Sequence, residues 1–316
     1  MKGNRVADLF DRALSSIIMV IETSTELIRA PASGLEECRL AFIGCGAMAE
    51  AMIAGLFRKK LIDPGDVVGS HPRLARRQEL HVKYGIEMFE HNRDAVVAAT
   101  PDATRPGSMV VLAVKPQRIA KVLEDLKGAI HQDQLVLSIV AGARIQTIID
   151  ALLHTAVVRA MPNTPAQIGE GVTAWTTSGA VSEKQETQVR ALLEALGKTV
   201  HVENERQIDM ATALSATGPT YIFMVMEALI DAGVHMGFSR HVAQELVHQT
   251  MLGAVLFARE SHKHPAELRN MVTSPGGTSA EAIYQMEKGS LRTVLSKAVW
   301  AAFQRAESLG GKRTTD

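Results

Sequence analysis

Short apolar runs alternate with segments of helical periodicity through the first two-thirds of the chain. Apolar runs bounded by turn residues predict buried strands, and apolar positions that recur every three to four residues predict amphipathic helices. The predicted strands are Leu40–Ile43, Asp66–Gly69, Met109–Val114, Leu135–Val140 and Val157–Ala160. The predicted helices between them are Met48–Leu56, Ala75–Tyr84, Gln117–Leu126 and Ile145–Leu153. This alternation predicts an α/β fold, a Rossmann-type parallel sheet with helices on both faces.

From about residue 202 the strand pattern stops and helical periodicity takes over. Ile208–Met236 is predicted as one long helix interrupted at Gly218-Pro219. The helices predicted after it are His241–Arg259, Pro265–Met271, Ser279–Lys288 and Leu291–Leu309. Tyr221–Ile230 is apolar on nearly every side, which predicts burial against a partner subunit. We therefore predict a dinucleotide-binding domain over 38–202 and an all-α dimerisation and substrate domain over 203–316.

Residues 1–37 differ from both predicted domains. They mix charges with a weak helical pattern and end in a turn-like Ala30–Gly34 segment. We predict an N-terminal extension without chemistry. Partial disorder and a true start at Met19 are the two alternatives.

A dinucleotide motif follows the first predicted strand. Residues 44–49 read GCGAMA, a GxGxxA pattern between a strand and a helix. Gly44 permits the tight turn, Gly46 lets the backbone approach a pyrophosphate, and Ala49 allows close packing of helix on strand. The free N–H groups at the helix start favour an anion. The alternative is an ordinary glycine turn.

The end of the second predicted strand indicates which cofactor is preferred. NAD sites place Asp or Glu there for the ribose hydroxyls, whereas residues 69–73 read GSHPR. A hydroxyl at Ser70 and a guanidinium at Arg73 suit a 2′-phosphate. We predict NADPH, with NADH as the second choice. For Arg76 and Arg77 a solvated helix face is the alternative.

Later strand ends should face the same cofactor, because ligands bind at the carboxyl edge of such sheets. The Asn163 amide is predicted to bond the nicotinamide carboxamide, and Lys115 is either a cofactor contact or a surface lysine. The predicted cofactor-binding residues are Ile43, Gly44, Cys45, Gly46, Ala47, Met48, Ser70, Arg73, Asn92, Ala113, Val114, Lys115, Pro116, Ala141 and Asn163.

Composition and charge narrow the possible functions. The 316 residues are 46% hydrophobic and 22% charged, with 34 basic and 34 acidic residues. These values exclude wholesale disorder, and a neutral chain has no global field for nucleic acid. Residues 38–202 carry an excess of three positive charges, which suits a polyanionic ligand. Two cysteines indicate a reduced, cytoplasmic protein. No run approaches 18 apolar residues, so we expect no membrane helix.

Residues 39–310 resemble the pyrroline-5-carboxylate reductase family. The resemblance rests on GCGAMA at 44–49, AVKP at 113–116, MPNTP at 161–165, SATGPTY at 215–221 and LRNMVTSPGGTS at 268–279. It implies a Rossmann domain, a helical domain that interlocks between two subunits, and NAD(P)H-dependent reduction of a cyclic imino acid. Ala216 and Thr220 replace smaller residues that are usual in the family, which leaves a paralogue that reduces another cyclic imine as an alternative.

The segment 274–279 before a helix is the predicted substrate site. Its N–H groups and hydroxyls at a positive helix end suit the substrate carboxylate. The resemblance places the Ser279 hydroxyl near the ring nitrogen. The predicted catalytic residues are Ser279, Thr278 and Ser274, and the predicted substrate-binding residues are Gly276, Gly277, Thr278, Ser279 and Glu205. Simple helix capping by Ser274 or Thr278 is the alternative.

Other functions have less support in the sequence. No lysine lies between Lys198 and Lys263, so a hydroxy-acid dehydrogenase would lack its usual general base. A non-catalytic NADP-binding regulator would not need the 274–279 segment. His262 and His264 have no third ligand nearby, so we predict no metal site. The zero net charge and the lack of a long apolar run predict no nucleic-acid or membrane partner. We expect a homodimer or a higher oligomer built from dimers.

Overall fold

The computed structural model describes residues 34–311, so the predicted extension lies almost wholly outside the described residues. An eight-stranded sheet dominates it, in the order β3-β2-β1-β4-β5-β6-β7-β8. The strands are β1 Cys38–Ile43, β2 Val67–Ser70, β3 Glu87–Phe89, β4 Gly107–Leu112, β5 Leu135–Ser138, β6 Val157–Met161, β7 Gly171–Thr177 and β8 Gly197–His201. Strands β1 to β6 are parallel, β7 is antiparallel to β6, and β8 runs parallel to β7.

Helices cover both faces of this sheet. They are α1 Ala47–Arg58, α2 Leu74–Tyr84, α3 Asn92–Ala98, α4 Ile119–Leu126, α5 Ile145–Leu152 and α6 Glu183–Glu194. Alternate strand residues enter two separate cores: Phe42 packs with α1, α2 and α6, whereas Ile43 packs with α3, α4 and α5. This alternation confirms the predicted α/β fold class, because only a sheet buried on both faces needs apolar residues in both directions.

Two strands beyond β6, the short strand β3, and helices α3 and α6 were not predicted from the sequence. Strand β3 is only three residues long, and β8 (GKTVH) is polar and half-exposed because it lies at the sheet edge. Such strands lack the apolar run that marks a buried strand. The prediction succeeded where burial was complete.

The carboxyl ends of the central strands meet at one edge. Ile43 at the end of β1 is paired with Ser70 at the end of β2 and with Leu112 at the end of β4. The turns that follow these strands therefore lie side by side. This edge carries most of the predicted cofactor contacts.

The chain is helical after β8. The elements are α7 Glu205–Ala211, a π-helical turn Thr212–Ala216, α8 Gly218–His235, α9 Arg240–Ser261, α10 Pro265–Met271, α11 Thr278–Lys288 and α12 Leu291–Leu309. Helix α7, the π-helical turn and α12 pack together, with Ile208, Ala213 and Phe303 buried. Arg144 donates from Nε to the carbonyl of Gly310 at 3.1 Å, which ties the end of α12 to the turn after β5.

Residues 217–290, which we call the helical arm, differ from the rest of the described chain. Within this range Ile230, Gly233 and Ala243 are the buried residues, and every other residue has accessible surface. Large apolar side chains are open to solvent, including Phe223 at 57% and Met224 at 65% exposure. The arm therefore has almost no core of its own. We call residues 34–216 and 291–311 the sheet unit.

One helical run is long enough to cross a membrane, contrary to the sequence expectation. Within residues 34–311, residues 205–235 form a continuous 31-residue helical run, and its most apolar 18-residue window has a mean hydropathy of 1.3, although only 11% of that window is buried. A single run of this kind is weak evidence for a membrane span, because helices buried between subunits have the same composition.

Candidate active site

The turn between β1 and α1 has the geometry of a dinucleotide-binding turn. Gly44 has φ +85°, and a Cβ there would overlap the Val114 side chain. Its N–H and that of Cys45 donate to the carbonyl of Ser70 at 3.2 and 3.1 Å. A side chain at Gly44 is therefore excluded by protein atoms alone.

The space around Gly46 tests whether a pyrophosphate fits at the start of α1. Gly46 is the N-cap of α1, has φ −81°, and a Cβ there would meet no atom closer than the Gly44 oxygen at 4.0 Å. No side chain caps α1, so its first N–H groups have no side-chain partner. The protein itself leaves room at this position, which fits a bound pyrophosphate.

The side chains of Ile43 and Cys45 do not reach this space. Both are fully buried, and burial raises the pKa of the Cys45 thiol to about 12. Any cofactor contact from these two residues must come from the backbone. Ala47 is exposed and Met48 is half-buried at the start of α1.

Ser70 corrects one prediction. Its side chain is fully buried and its hydroxyl is bonded to Asn92 Oδ1 at 2.8 Å, so it does not present a hydroxyl to a 2′-phosphate. Asn92 Nδ2 in turn donates to Asp125 Oδ2 at 2.9 Å. Ser70 instead holds two elements: its carbonyl fixes the 44–45 turn, and its hydroxyl fixes Asn92.

The three arginines after β2 have different surroundings. Arg73, the N-cap of α2, is exposed, and its guanidinium has no hydrogen bond or ion pair within residues 34–311. Arg77 donates from Nη1 to the carbonyls of His71 and Pro72 at 2.9 and 3.0 Å and pairs with Glu90.

Arg76 is also engaged, with contacts to Cys45, Glu50 and Glu79. The side chains of Arg76 and Arg77 are only 13% and 12% exposed, so the alternative of a solvated face is wrong. Arg73 is the free cation of the three, as a phosphate ligand requires.

The turns after β4 and β5 bring backbone groups and one exposed lysine to the edge of the sheet that carries the 44–49 turn. Lys115 is exposed, while Ala113, Val114 and Pro116 are half-buried beside Gly44. Ala141 is half-buried in the turn after β5. These residues line the same edge as the 44–49 turn.

The amide of Asn163 is engaged within the protein. Its Oδ1 accepts from Val172 N at 2.9 Å, and its Nδ2 donates to the Ser215 carbonyl at 3.3 Å. This leaves one N–H free for a ligand. Asn163 chiefly joins the turn after β6 to the π-helical turn, which the prediction of a nicotinamide contact did not foresee.

The carboxylate of Glu205 is engaged within the sheet unit. Its Oε1 accepts from Ile145 N at 2.9 Å and from Arg159 Nη1 at 3.1 Å. Arg159, on β6, is fully buried and also donates to Asp209 at 2.6 Å. The Glu205 carboxylate joins the sheet to α7, a structural role that the prediction of a substrate contact did not include.

The Arg159 network was missed from the sequence. An arginine inside the apolar strand Val157–Ala160 was a usable signal, because a buried charge requires a partner. Glu205 and Asp209, four residues apart on one helix face, were the available carboxylates.

The 274–279 segment forms a tight turn at the start of α11. Gly276 has φ +69°, and a Cβ on Gly277 would overlap Ser274 Oγ. Gly277 is the N-cap and no side chain caps the helix, so the capping alternative is wrong. The Gly277 N–H donates to the Ser274 carbonyl at 3.0 Å and is not free, contrary to prediction.

The free donors at this turn are therefore fewer than predicted but remain suited to an anion. The N–H groups of Thr278 and Ser279 make no hydrogen bond within the described chain. The Thr278 side chain is exposed and that of Ser279 is half-buried. Two donors and two hydroxyls at the start of an 11-residue helix fit a carboxylate.

These two anion sites lie in different parts of one chain. Among residues 34–311, no hydrogen bond or ion pair joins 274–279 to any strand or to the turns that follow the strands. The cofactor turn belongs to the sheet unit and the 274–279 turn to the helical arm. A complete site must bring the two together.

Comparison with family models identifies both halves of the chain. Residues 205–309 match the model described as pyrroline-5-carboxylate reductase dimerisation, and residues 39–142 match the model described as NADP oxidoreductase coenzyme F420-dependent. The first match lies on the helical region and the second on the sheet. The dimerisation model agrees with an oligomer built from dimers.

Curated relatives and solved structures extend this similarity over most of the chain. A pyrroline-5-carboxylate reductase of Synechocystis sp. is 37% identical over 274 residues, covering 87% of this chain and 99% of the relative. The Coxiella burnetii pyrroline-5-carboxylate reductase structure has TM-score 0.77 and 35% identity, covering 87% and 100% of the two chains. A Plasmodium falciparum pyrroline carboxylate reductase solved with NADP bound has TM-score 0.78 and 28% identity, covering 87% and 99%.

Proposed function

Because the chain belongs to the pyrroline-5-carboxylate reductase family, we propose that it reduces 1-pyrroline-5-carboxylate to proline with NADPH, the final step of proline biosynthesis. The observation that carries this proposal is the pair of uncapped helix starts, at Gly46 and at Gly277. One suits the pyrophosphate of a dinucleotide and the other suits a small carboxylate. NADH is the second choice of cofactor.

The cofactor site is assigned to the carboxyl edge of the sheet. The start of α1 binds the pyrophosphate through backbone N–H groups. Arg73 binds the 2′-phosphate, supported by its exposed and unpaired guanidinium and by the absence of a carboxylate in 69–73. Asn92, held by Ser70 and Asp125, contacts the adenosine ribose.

The reaction requires orientation more than acid–base chemistry. Bound NADPH supplies the hydride that goes to the imine carbon, and the ring nitrogen carries the proton. Thr278 and Ser279 bind the substrate carboxylate through their N–H groups. The Ser279 hydroxyl orients the ring nitrogen and relays to it the proton that makes the imine cationic before hydride transfer, with Ser274 completing the turn. No strong base is required, because a protonated imine already accepts hydride.

A second copy of the chain completes the site. The absence of contacts between 274–279 and the strand ends in the described residues supports this, as does the exposed apolar surface of the helical arm. The arm of one subunit then brings its 274–279 turn to the sheet edge of the other. We place this homodimer, or an oligomer of such dimers, in the cytoplasm, which its two reduced cysteines support.

The test is oxidation of NADPH by purified protein supplied with racemic pyrroline-5-carboxylate, followed at the nicotinamide absorbance. Activity is expected with NADPH and, more weakly, with NADH. Ser279→Ala should lower kcat by about 10²-fold, since loss of a positioned proton-transfer group typically costs that much. Ser261→Ala, an exchange on α9 outside the site, is the matched control. Absence of turnover with both cofactors would contradict the proposal.

A further inference from the structure

Arg76 joins the dinucleotide turn to helix α2. Its Nε donates to the Cys45 carbonyl at 3.1 Å, inside the turn. Its Nη2 lies 2.5 Å from Glu50 Oε2 on α1, and its Nη1 lies 2.9 Å from Glu79 Oε1. These three contacts use every nitrogen of a guanidinium that is 13% exposed. Arg76 therefore has a fixed position and is not a free cation.

Arg76 is also tied to Arg73. The Arg76 N–H donates to the Arg73 carbonyl at 3.2 Å in the first turn of α2. The orientation of this turn sets the position of the Arg73 Cα, from which the side chain extends. The Arg73 N–H in turn donates to His71 Nδ1 at 3.2 Å, so the backbone of Arg73 is held from both sides. The side chain of Arg73 remains free.

Glu50 keeps Arg76 in this position. Partial burial alone would raise the pKa of Glu50, but hydrogen bonds from Lys83, Arg76 and Tyr84 outweigh it and lower the pKa to about 2. The carboxylate is therefore ionised at neutral pH and binds both Arg76 and Lys83. This arrangement holds the Arg76 guanidinium against α1.

We propose that Arg76 is a positioning residue for cofactor selectivity, which sets the location of Arg73 relative to the pyrophosphate turn. Through Cys45 it supports the turn that binds the pyrophosphate of either cofactor. Through α2 it holds Arg73 where a 2′-phosphate lies. The inference rests on the proposed role of Arg73 and adds that the preference for NADPH depends on a residue that does not touch the phosphate.

A double-mutant cycle with direct binding measurements tests this. The dissociation constants of NADPH and NADH are measured by nucleotide fluorescence titration for wild type, Arg73→Ala, Arg76→Gln and the double variant. Loss of a charge-assisted hydrogen bond costs about tenfold or more in affinity. We expect Arg76→Gln to weaken NADPH about tenfold and NADH about threefold. In the Arg73→Ala background Arg76→Gln should weaken both cofactors by the same factor, about threefold.

Two further variants keep the test decisive. Arg76→Lys keeps the charge near Glu50 but has no group that reaches both Glu50 and the Cys45 carbonyl, so an intermediate loss of NADPH selectivity is expected. It also serves if Arg76→Gln does not fold. Arg39→Gln is the matched control, because Arg39 also combines an ion pair, with Asp102, and a hydrogen bond to a carbonyl, that of Thr100, on the opposite edge of the sheet. It should change neither dissociation constant.

The outcomes separate this inference from the proposed function. If Arg73→Ala weakens NADPH and NADH equally, the 2′-phosphate role of Arg73 is wrong. If Arg73→Ala is selective but Arg76→Gln weakens both cofactors equally, Arg76 has no positioning role. If the selective effect of Arg76→Gln persists without Arg73, Arg76 contacts the phosphate directly and the inference is overturned.

Discussion

The sheet unit and the helical arm bury their apolar residues in different ways. In the sheet unit, alternate residues of each strand enter one of two cores, and side chains such as Phe42 and Trp175 are fully buried. In the arm, Phe223 and Met224 point to solvent although the helix is as apolar as a core helix. The sheet unit buries its apolar residues within one chain, whereas the arm leaves its apolar surface exposed, in the region that matches the dimerisation model.

This difference explains where each half of the chemistry lies. A turn that must hold a large cofactor, such as 44–49, lies on a rigid element with its own core. The 274–279 turn lies on the helical arm, which buries few of its own residues. If a second copy completes the site as proposed, substrate binding requires assembly, while cofactor binding depends mainly on one chain.

The largest expected effect comes from a charge placed on the arm. Met224→Asp should prevent dimer formation and reduce imine reduction by at least about 10²-fold, because an aspartate buried in an apolar interface costs several kcal/mol. Size-exclusion chromatography with light scattering and the NADPH assay are the measurements. Val82→Asp is the matched control, since Val82 is 84% exposed on α2 in the sheet unit. A fully active Met224→Asp dimer would contradict the view that the arm forms a subunit interface.

A smaller effect is expected inside the sheet unit, where β6 meets α7. Arg159→Met removes the buried cation that binds both Glu205 and Asp209, leaving Asp209 only Arg144 at 3.8 Å and Glu205 only the Ile145 N–H. We expect a loss of roughly 3–5 kcal/mol in the free energy of unfolding, typical when one member of a buried ion pair is removed. Denaturant unfolding gives this value. Arg39→Met, at an exposed pair, should lower the free energy of unfolding by at most about 1 kcal/mol. Equal losses for the two variants would show that the buried network stabilises the fold no more than an exposed ion pair.

The smallest effect concerns Glu50 within the sheet unit. Its pKa in the folded protein is about 2, below the usual carboxyl value near 4.3, so its stabilising contribution is complete above the usual value and is lost as pH falls toward 2. Glu50→Gln should therefore lower the free energy of unfolding at pH 7 by about 1 kcal/mol, a value reduced for solvent screening. The gap between variant and wild type should narrow between pH 4.5 and pH 2. A gap independent of pH would exclude a charge-based contribution.

The sequence was sufficient for features that depend on complete burial or on a local turn. The central strands and the 44–49 turn could be predicted, because the apolar runs and the glycine positions follow from local sterics. The roles of Ser70, Asn163 and Glu205 could not, since each depends on a hydrogen-bond partner far away in the chain. Asn163, for example, is bonded to the carbonyl of Ser215. A pattern identifies a polar residue at a strand end but not its partner.

The burial of Ser70 has a consequence for engineering a change of cofactor. A common way to favour NADH is to install a carboxylate at the end of the second strand, where it would meet the ribose hydroxyls. Here an aspartate at Ser70 would sit in a closed space against Asn92, whose amide already binds Asp125. A redesign would have to begin in the exposed loop at Arg73, where a new side chain has room and a solvent-facing path to the nucleotide.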